Sequence, residues 1–429
     1  MAEDVISQLF DLGTITVISS RSSFQYKNSD KSILQISKEL RADIILTGNY
    51  EIVENQLQVK FELVEGRNNN ILDYDILTGQ FDKINIVSAG IGQALFKTLQ
   101  LPVEKSDQAG WRNLQNLNIE AYKLNAQGRS AMYDHTGQDR QDIIQYFEKA
   151  IALDSSYAEP YLGIAEAYIF DVNRGYISPV EAAQKARRYA LLAEQLEPGR
   201  GEISALLGVI NLFNGQYDVA ATYFEQALQL SPNYYLTYHY YAMVFILRGD
   251  LDKAMSLQKK ANTIDPLNIF NDVYIVVNYL FQGKLAEANK IIDGKLKMDP
   301  DHSLSLWMKA LLLNQEYKYE EALVFLEKRK YGLTTNFVAG YTYAMLGREE
   351  EARSVLNNML KSSEKGYVPP SHIAIVYCGL NEIDKAIEQV EEAYLVNDAW
   401  TGYLKYTTFT DRLKEHPQYV AIMANLARQ

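Results

Sequence analysis

The stretch that decides the fold is "LLGVINLFNGQYDVAATYFEQALQLSPN", Leu206 to Asn233. It contains an apolar segment with helical spacing, a turn carrying Gly215, a second amphipathic segment and a closing proline. Thirty-four residues further on the same grammar returns, and then again. Pro198, Pro232, Pro266 and Pro300 form one ladder, and Ala220, Ala254, Ala288 and Ala322 a second. Gly208, Ala242, Val276 and Ala310 form a third, and the turn glycines Gly215, Gly249 and Gly283 a fourth. Such a period is the mark of a solenoid: each unit cannot bury its apolar face alone, so stacked neighbours supply the core. Small residues recur where two helices approach closely, and large ones fill the spaces between them.

The register survives a loss of four residues around "EKRKYGLTTN", resuming with Gly340, Gly347, Ala352, Ala374 and Ala386. The second helix of that sixth repeat is therefore expected to be short, and a hinge is expected between the fifth and seventh repeats. Two earlier copies are degenerate. One carries three extra residues between its helices, and the other the insertion "DVNRGYISP", where Ser178, Pro179 and the following Glu181 have the pattern of an N-cap, first helical residue and capping-box partner. About eight repeats span residues 118–398. The tail, 399–429, has lost the spacing and reads as a capping segment for the last apolar face.

Residue type by residue type, these units resemble the tetratricopeptide repeat. The resemblance implies helix pairs stacked into a right-handed superhelix, with the first helix of each pair lining a concave groove.

The first hundred residues follow another pattern. "QLQVKFELVEG" alternates Leu57, Val59, Phe61 and Leu63 against Gln58, Lys60 and Glu62, the period of a half-buried strand. "ADIILTGNYEIV" predicts a strand paired to it through a turn at Glu54-Asn55, and "ILDYDILTG" a third strand. Helical patterns flank them. This makes residues 1–105 a small α/β domain, followed by a linker at 106–117. The overall expectation is an α+β N-terminal domain followed by an all-α tetratricopeptide solenoid of about eight helix pairs with a C-terminal cap.

"VISSRSSFQYK" and "ISKELRADIILTGNY" resemble the TolB amino-terminal-like (FlgO-like) domain of bacterial signalling proteins. In those proteins it lies between an output domain, a nucleotide cyclase or a helix-turn-helix DNA-binding unit, and a tetratricopeptide array. "SPVEAAQKARRYALLAEQLEP" and "LKYTTFTDRLKEHPQYVAIM" also look like segments of that family. Members carry a further strand ahead of the acidic helix that begins here at Ala2. Its absence leads to the expectation that the sheet lacks a strand and that a homodimer forms through the exposed edge.

Composition bounds the chemistry. The net charge is −12, and acidity runs through the whole chain, which disfavours a phosphate backbone as a direct partner. No apolar run reaches the ~18 residues of a membrane span, and "MAEDVISQLF" lacks the basic start of a signal peptide. The single Cys378 excludes an internal disulfide and lies on an apolar helical face, as a buried thiol. The cysteine usage fits cytoplasm or periplasm alike.

His135, His239, His302, His372 and His416 show no metal-ligand spacing, and no nucleophile elbow, P-loop or dinucleotide fingerprint occurs. No catalytic, cofactor or metal residue is assigned, and the chain is read as no enzyme. The remaining candidate is the groove. Register transfer from the tetratricopeptide family puts His239, Val273, Trp307 and Phe337 in one ladder, Met243, Val277, Leu311 and Tyr341 in a second, and Phe281 in a third.

The lining is apolar, suited to a protein or peptide partner or to the chain's own terminal segment. The family's chaperone-binding members hold a carboxylate with Lys and Asn in these ladders, and neither occurs here. In "PNYYLTYHYYAM", Pro232 to Met243, Tyr240 and Tyr241 fall in packing columns and only His239 and Met243 on the groove. The expected role is a protein-binding regulatory module of a bacterial signalling protein. The alternatives are a stand-alone adaptor, or the C-terminal part of a cyclase or transcriptional regulator.

Overall fold

The computed structural model describes residues 2–101, 118–133, 140–173, 175–329 and 336–428. The expected linker at 106–117 lies outside them, as do His135 and most of the deletion site in the sixth repeat.

At the amino terminus, helix α1 (Ala2–Leu9) is followed by an irregular stretch, the short α2 (Ser20–Ser23) and α3 (Ile33–Leu40). Ser32 and Gln35 close a reciprocal capping box at the start of α3. Three antiparallel strands follow in spatial order: β1 (Ile44–Val53), β2 (Gln56–Glu65) and β3 (Ile71–Gln80). The β1–β2 turn needs positive φ at both central residues, and Glu54 and Asn55 adopt 50° and 65°. Leu57, Val59, Phe61 and Leu63 of β2 are buried, as their alternation dictates, beneath α4 (Ile84–Thr98) and α1. The covering stops short of β1. Leu46, Tyr50 and Ile52 pair across to those buried residues, so they share their face, yet they are 37%, 64% and 41% exposed. β1 and β3 are the two edges of this sheet.

Among the described residues eight helix pairs then stack in sequence, from Ile119–Tyr133 with Arg140–Leu153 to Pro370–Gly379 with Ile383–Leu395. The ladders of small residues are their contact points. Phe224 fills the space left by Gly208, where an added Cβ would come within 2.6 Å of its ring. Phe147 lies in the same way against Gly128 and Gly163. Gly215, Gly249 and Gly283 end first helices with φ of 73°, 88° and 70°, a conformation costly for any residue with a Cβ. Ser178 caps Pro179–Leu196 by accepting from the Glu181 amide. The second helix of the sixth repeat, Tyr319–Lys328, is ten residues against fourteen in the fifth.

Candidate functional site

The residues assigned to the groove by register all lie on first helices of the repeats: Tyr235–Arg248, Ile269–Phe281, Ser303–Gln315 and Phe337–Met345. His239 lies against the Tyr274 ring (centroids 4.1 Å apart) and edge-on to Tyr240 (4.8 Å). Burial, with a smaller push from Arg21, lowers its imidazole pKa to about 3, so it is neutral at ordinary pH. Along its ladder Val273 and Trp307 are half-buried. The Trp307 indole donates to Asn336 Oδ1 at 3.0 Å and meets Phe337 edge-on. Met243 is also half-buried, whereas Val277, Phe281, Leu311, Phe337 and Tyr341 are buried.

The chain itself buries this floor. Residues 399–413 leave the last repeat and run along the concave side. Tyr406 stacks on Phe281 (4.9 Å, 27° between planes) and Tyr403 tilts against it at 5.1 Å. Trp400 and Phe409 pack edge-on to Phe337, and Phe409 to Tyr341 at 4.8 Å. Polar contacts fix the register. The Tyr406 hydroxyl donates to Ile246 O (3.0 Å), Lys405 Nζ to Leu247 O (3.1 Å) and the Thr408 amide to Gln315 Oε1 (2.8 Å). Arg412 donates to the carbonyls of Cys378 and Gly379, which end a first helix. Ile246 and Leu247 belong to the fourth repeat, so the tail reaches back across half the array.

Asp398 starts this segment as an N-cap, accepting from the Trp400 amide and from Ser371. His372 stacks on Phe337 (4.1 Å) beneath Trp400, and burial pushes its imidazole down to about 3. Burial likewise pushes the Cys378 thiol up to about 12, outside the range of a nucleophile.

A second segment enters from the other end. Residues 10–23 lie across the turns between the third, fourth and fifth repeats. Asn233 donates to Leu12 O (2.7 Å) and Ile15 O (3.1 Å) and accepts from the Val17 amide (3.1 Å). Asp265, fully buried, accepts from the hydroxyls of Ser19 and Ser22, and the Ser19 amide donates to Ile264 O at 2.8 Å. Arg21 lies over the rings of Phe170 and Tyr235 and reaches towards His239. Of the predicted groove residues, His239 thus has Arg21 nearby, and Phe281, Phe337 and Tyr341 carry the tail.

Sequence reasoning missed Asn233 and Asp265. Each flanks an inter-repeat proline (Pro232, Pro266), a position that reads as turn chemistry alone. Of the tyrosine stretch, Tyr240 and Tyr241 are core residues, and Tyr234, Tyr235 and Tyr238 are buried as well. Among the described residues no group of three or more His, Cys, Asp or Glu is placed to hold a metal, and no helix is long and apolar enough to cross a membrane.

This architecture is a tetratricopeptide-repeat solenoid with a small antiparallel sheet at its amino end. The family model described as tetratricopeptide repeat matches residues 180–235 and 206–269. A human IFIT1 dimer solved with m7Gppp-AAAA shares the fold, with a TM-score of 0.50 and 15% identity over 80% of this chain and 87% of that one. Among curated proteins the chain is similar to transcriptional regulator HilA of Salmonella typhimurium, at 23% identity over 298 residues, 68% of this chain and 53% of that protein. It is also similar to putative adenylate cyclase 3 of Rhizobium meliloti, at 20% over 165 residues, 38% and 28% respectively. The chain spans about half the length of the HilA relatives it matches.

Proposed function

We propose that this chain is a non-enzymatic, protein-binding regulatory module of a bacterial signalling or transcription-regulating protein, with a TolB-like amino-terminal unit. The fold supports protein–protein interaction. Similarity to a transcriptional regulator over 298 residues and to a putative adenylate cyclase over 165 supports a regulatory part used with different outputs.

The observation that carries the site is the unequal burial of the ladders. The tail covers Phe281, Phe337 and Tyr341, while His239, Met243, Val273 and Trp307 keep part of their surface. The partner contact is this half-open apolar strip, and the ligand is a peptide or helix presenting an apolar edge.

Photo-crosslinking in the native host tests the assignment. A crosslinking residue at Val273 or Trp307 gives a discrete protein adduct that one at Val219, on the convex side, does not. Identical adduct patterns from both sides would sink the assignment.

A further inference from the structure

Between α1 and the first three repeats lies a cavity of about 90 Å³, separate from the concave ladders. Its described walls carry five carboxylates (Glu3, Asp4, Glu159, Glu166 and Glu202) and two guanidinium groups, Arg129 and Arg200. Both arginines are engaged on the repeat side. Arg129 pairs with Glu166 and with Glu159 (3.2 Å), and Arg200 with Glu159 and Glu202 (3.0 Å each).

Two acceptors are served poorly or not at all. Glu3 receives one long hydrogen bond, from the Ser20 hydroxyl at 3.3 Å. Asn125 is 7% exposed; its Nδ2 donates to the Tyr157 hydroxyl, and its Oδ1 accepts from nothing. A buried acceptor without a donor costs about 1–3 kcal/mol, so such a site selects an occupant that donates.

We propose that this cavity binds a small organic cation through an N–H-bearing head, a guanidinium or primary ammonium group, held by Glu3 and the Asn125 side-chain carbonyl. Charge distinguishes that occupant from water. Burial and the neighbouring Glu166, Glu159 and Asp4 hold the Glu3 carboxyl above its ordinary pKa against the pull of Arg129, a field that a cation relieves and a neutral molecule does not. Size limits it too, since a volume of this order holds only a few waters or one small head group. The described acids lack the clustering of a metal site, so a multi-donor head fits better than a bare ion. Glu3 belongs to α1 and Asn125 to the first repeat, so an occupant ties the amino-terminal unit to the array.

The test uses the full chain, methylguanidinium as probe, and tetramethylammonium as a cation of equal charge without N–H donors. Calorimetry and thermal unfolding should show saturable methylguanidinium binding with a rise in Tm, and none with tetramethylammonium at matched ionic strength. Glu3→Gln and Asn125→Leu should each weaken Kd by about tenfold or more, equivalent to 1.4 kcal/mol, with an unchanged circular dichroism spectrum. Should one variant fail to fold, the other carries the test. No saturable binding to the wild type overturns the proposal, as does equal binding of tetramethylammonium or wild-type affinity in a folded variant.

Discussion

Asn233 commits its whole side chain to residues more than 200 positions earlier, and that makes it the most informative single residue in the molecule. Leucine there removes three hydrogen bonds and strands the buried carbonyl of Leu12 and the amide of Val17. At about 1 kcal/mol for each net bond, plus a desolvation cost, Asn233→Leu should destabilise by roughly 2–4 kcal/mol in urea unfolding. A loss below about 0.5 kcal/mol, the level of a surface change, would mean that residues 10–23 are not held there. Nothing near Asn233 in the sequence reveals this role. Tyr240 was legible because its column repeats every 34 residues, whereas the partners of Asn233 follow no period. The same holds for Asp265 with Ser19 and Ser22.

Repeat helices were legible for a related reason: their packing is local and written many times. Position 208 and position 224 meet within one repeat, and the later copies of that pair are Ala242 with Gln258, Val276 with Ile292 and Ala310 with Leu326. The capping element is different, because it occurs once and its partners are chosen by the curvature of the array.

Its chemistry predicts a pH response. His372 and His239 ionise near 3 in the folded chain against an ordinary value of 6.5. Their protonation therefore favours unfolding, and the stability they allow is complete above about 6.5 and falls as pH drops towards 3. Asp398 opposes them, since burial raises it from 3.8 to about 6 and its contribution improves on acidification across that window. At the cap the His372 shift exceeds that of Asp398, so acid should loosen the cap. His372→Phe should flatten the fall in Tm between pH 6.5 and 4 relative to wild type. Parallel curves for the two proteins would show that His372 is not buried neutral beneath Trp400.

At the scale of the whole molecule, the solenoid packs its own tail on the first helices of its repeats. A 34-residue period determines which neighbours touch but not how far the superhelix turns before its end meets its middle. Register transfer thus proposes the ladders and leaves their occupant open between a partner and the chain's own terminal segment. The tail bonds to Ile246 and Leu247 and stacks on Phe281, and the amino-terminal segment bonds to Asn233 and Asp265. Together they leave a half-open apolar strip, so partner recognition must work at its edge or displace the tail.

Hydrogen exchange at neutral pH, followed by mass spectrometry on the full chain, tests this most directly. Peptides covering 10–23 and 399–413 should exchange as slowly as the adjoining repeat helices, although the only α-helix in them is the short Ser20–Ser23 and Ala399–Tyr403. Asn233→Leu should release the first peptide and leave the second protected. Complete exchange of 399–413 at the shortest labelling time in the wild type would contradict the account, because the concave floor would then be open.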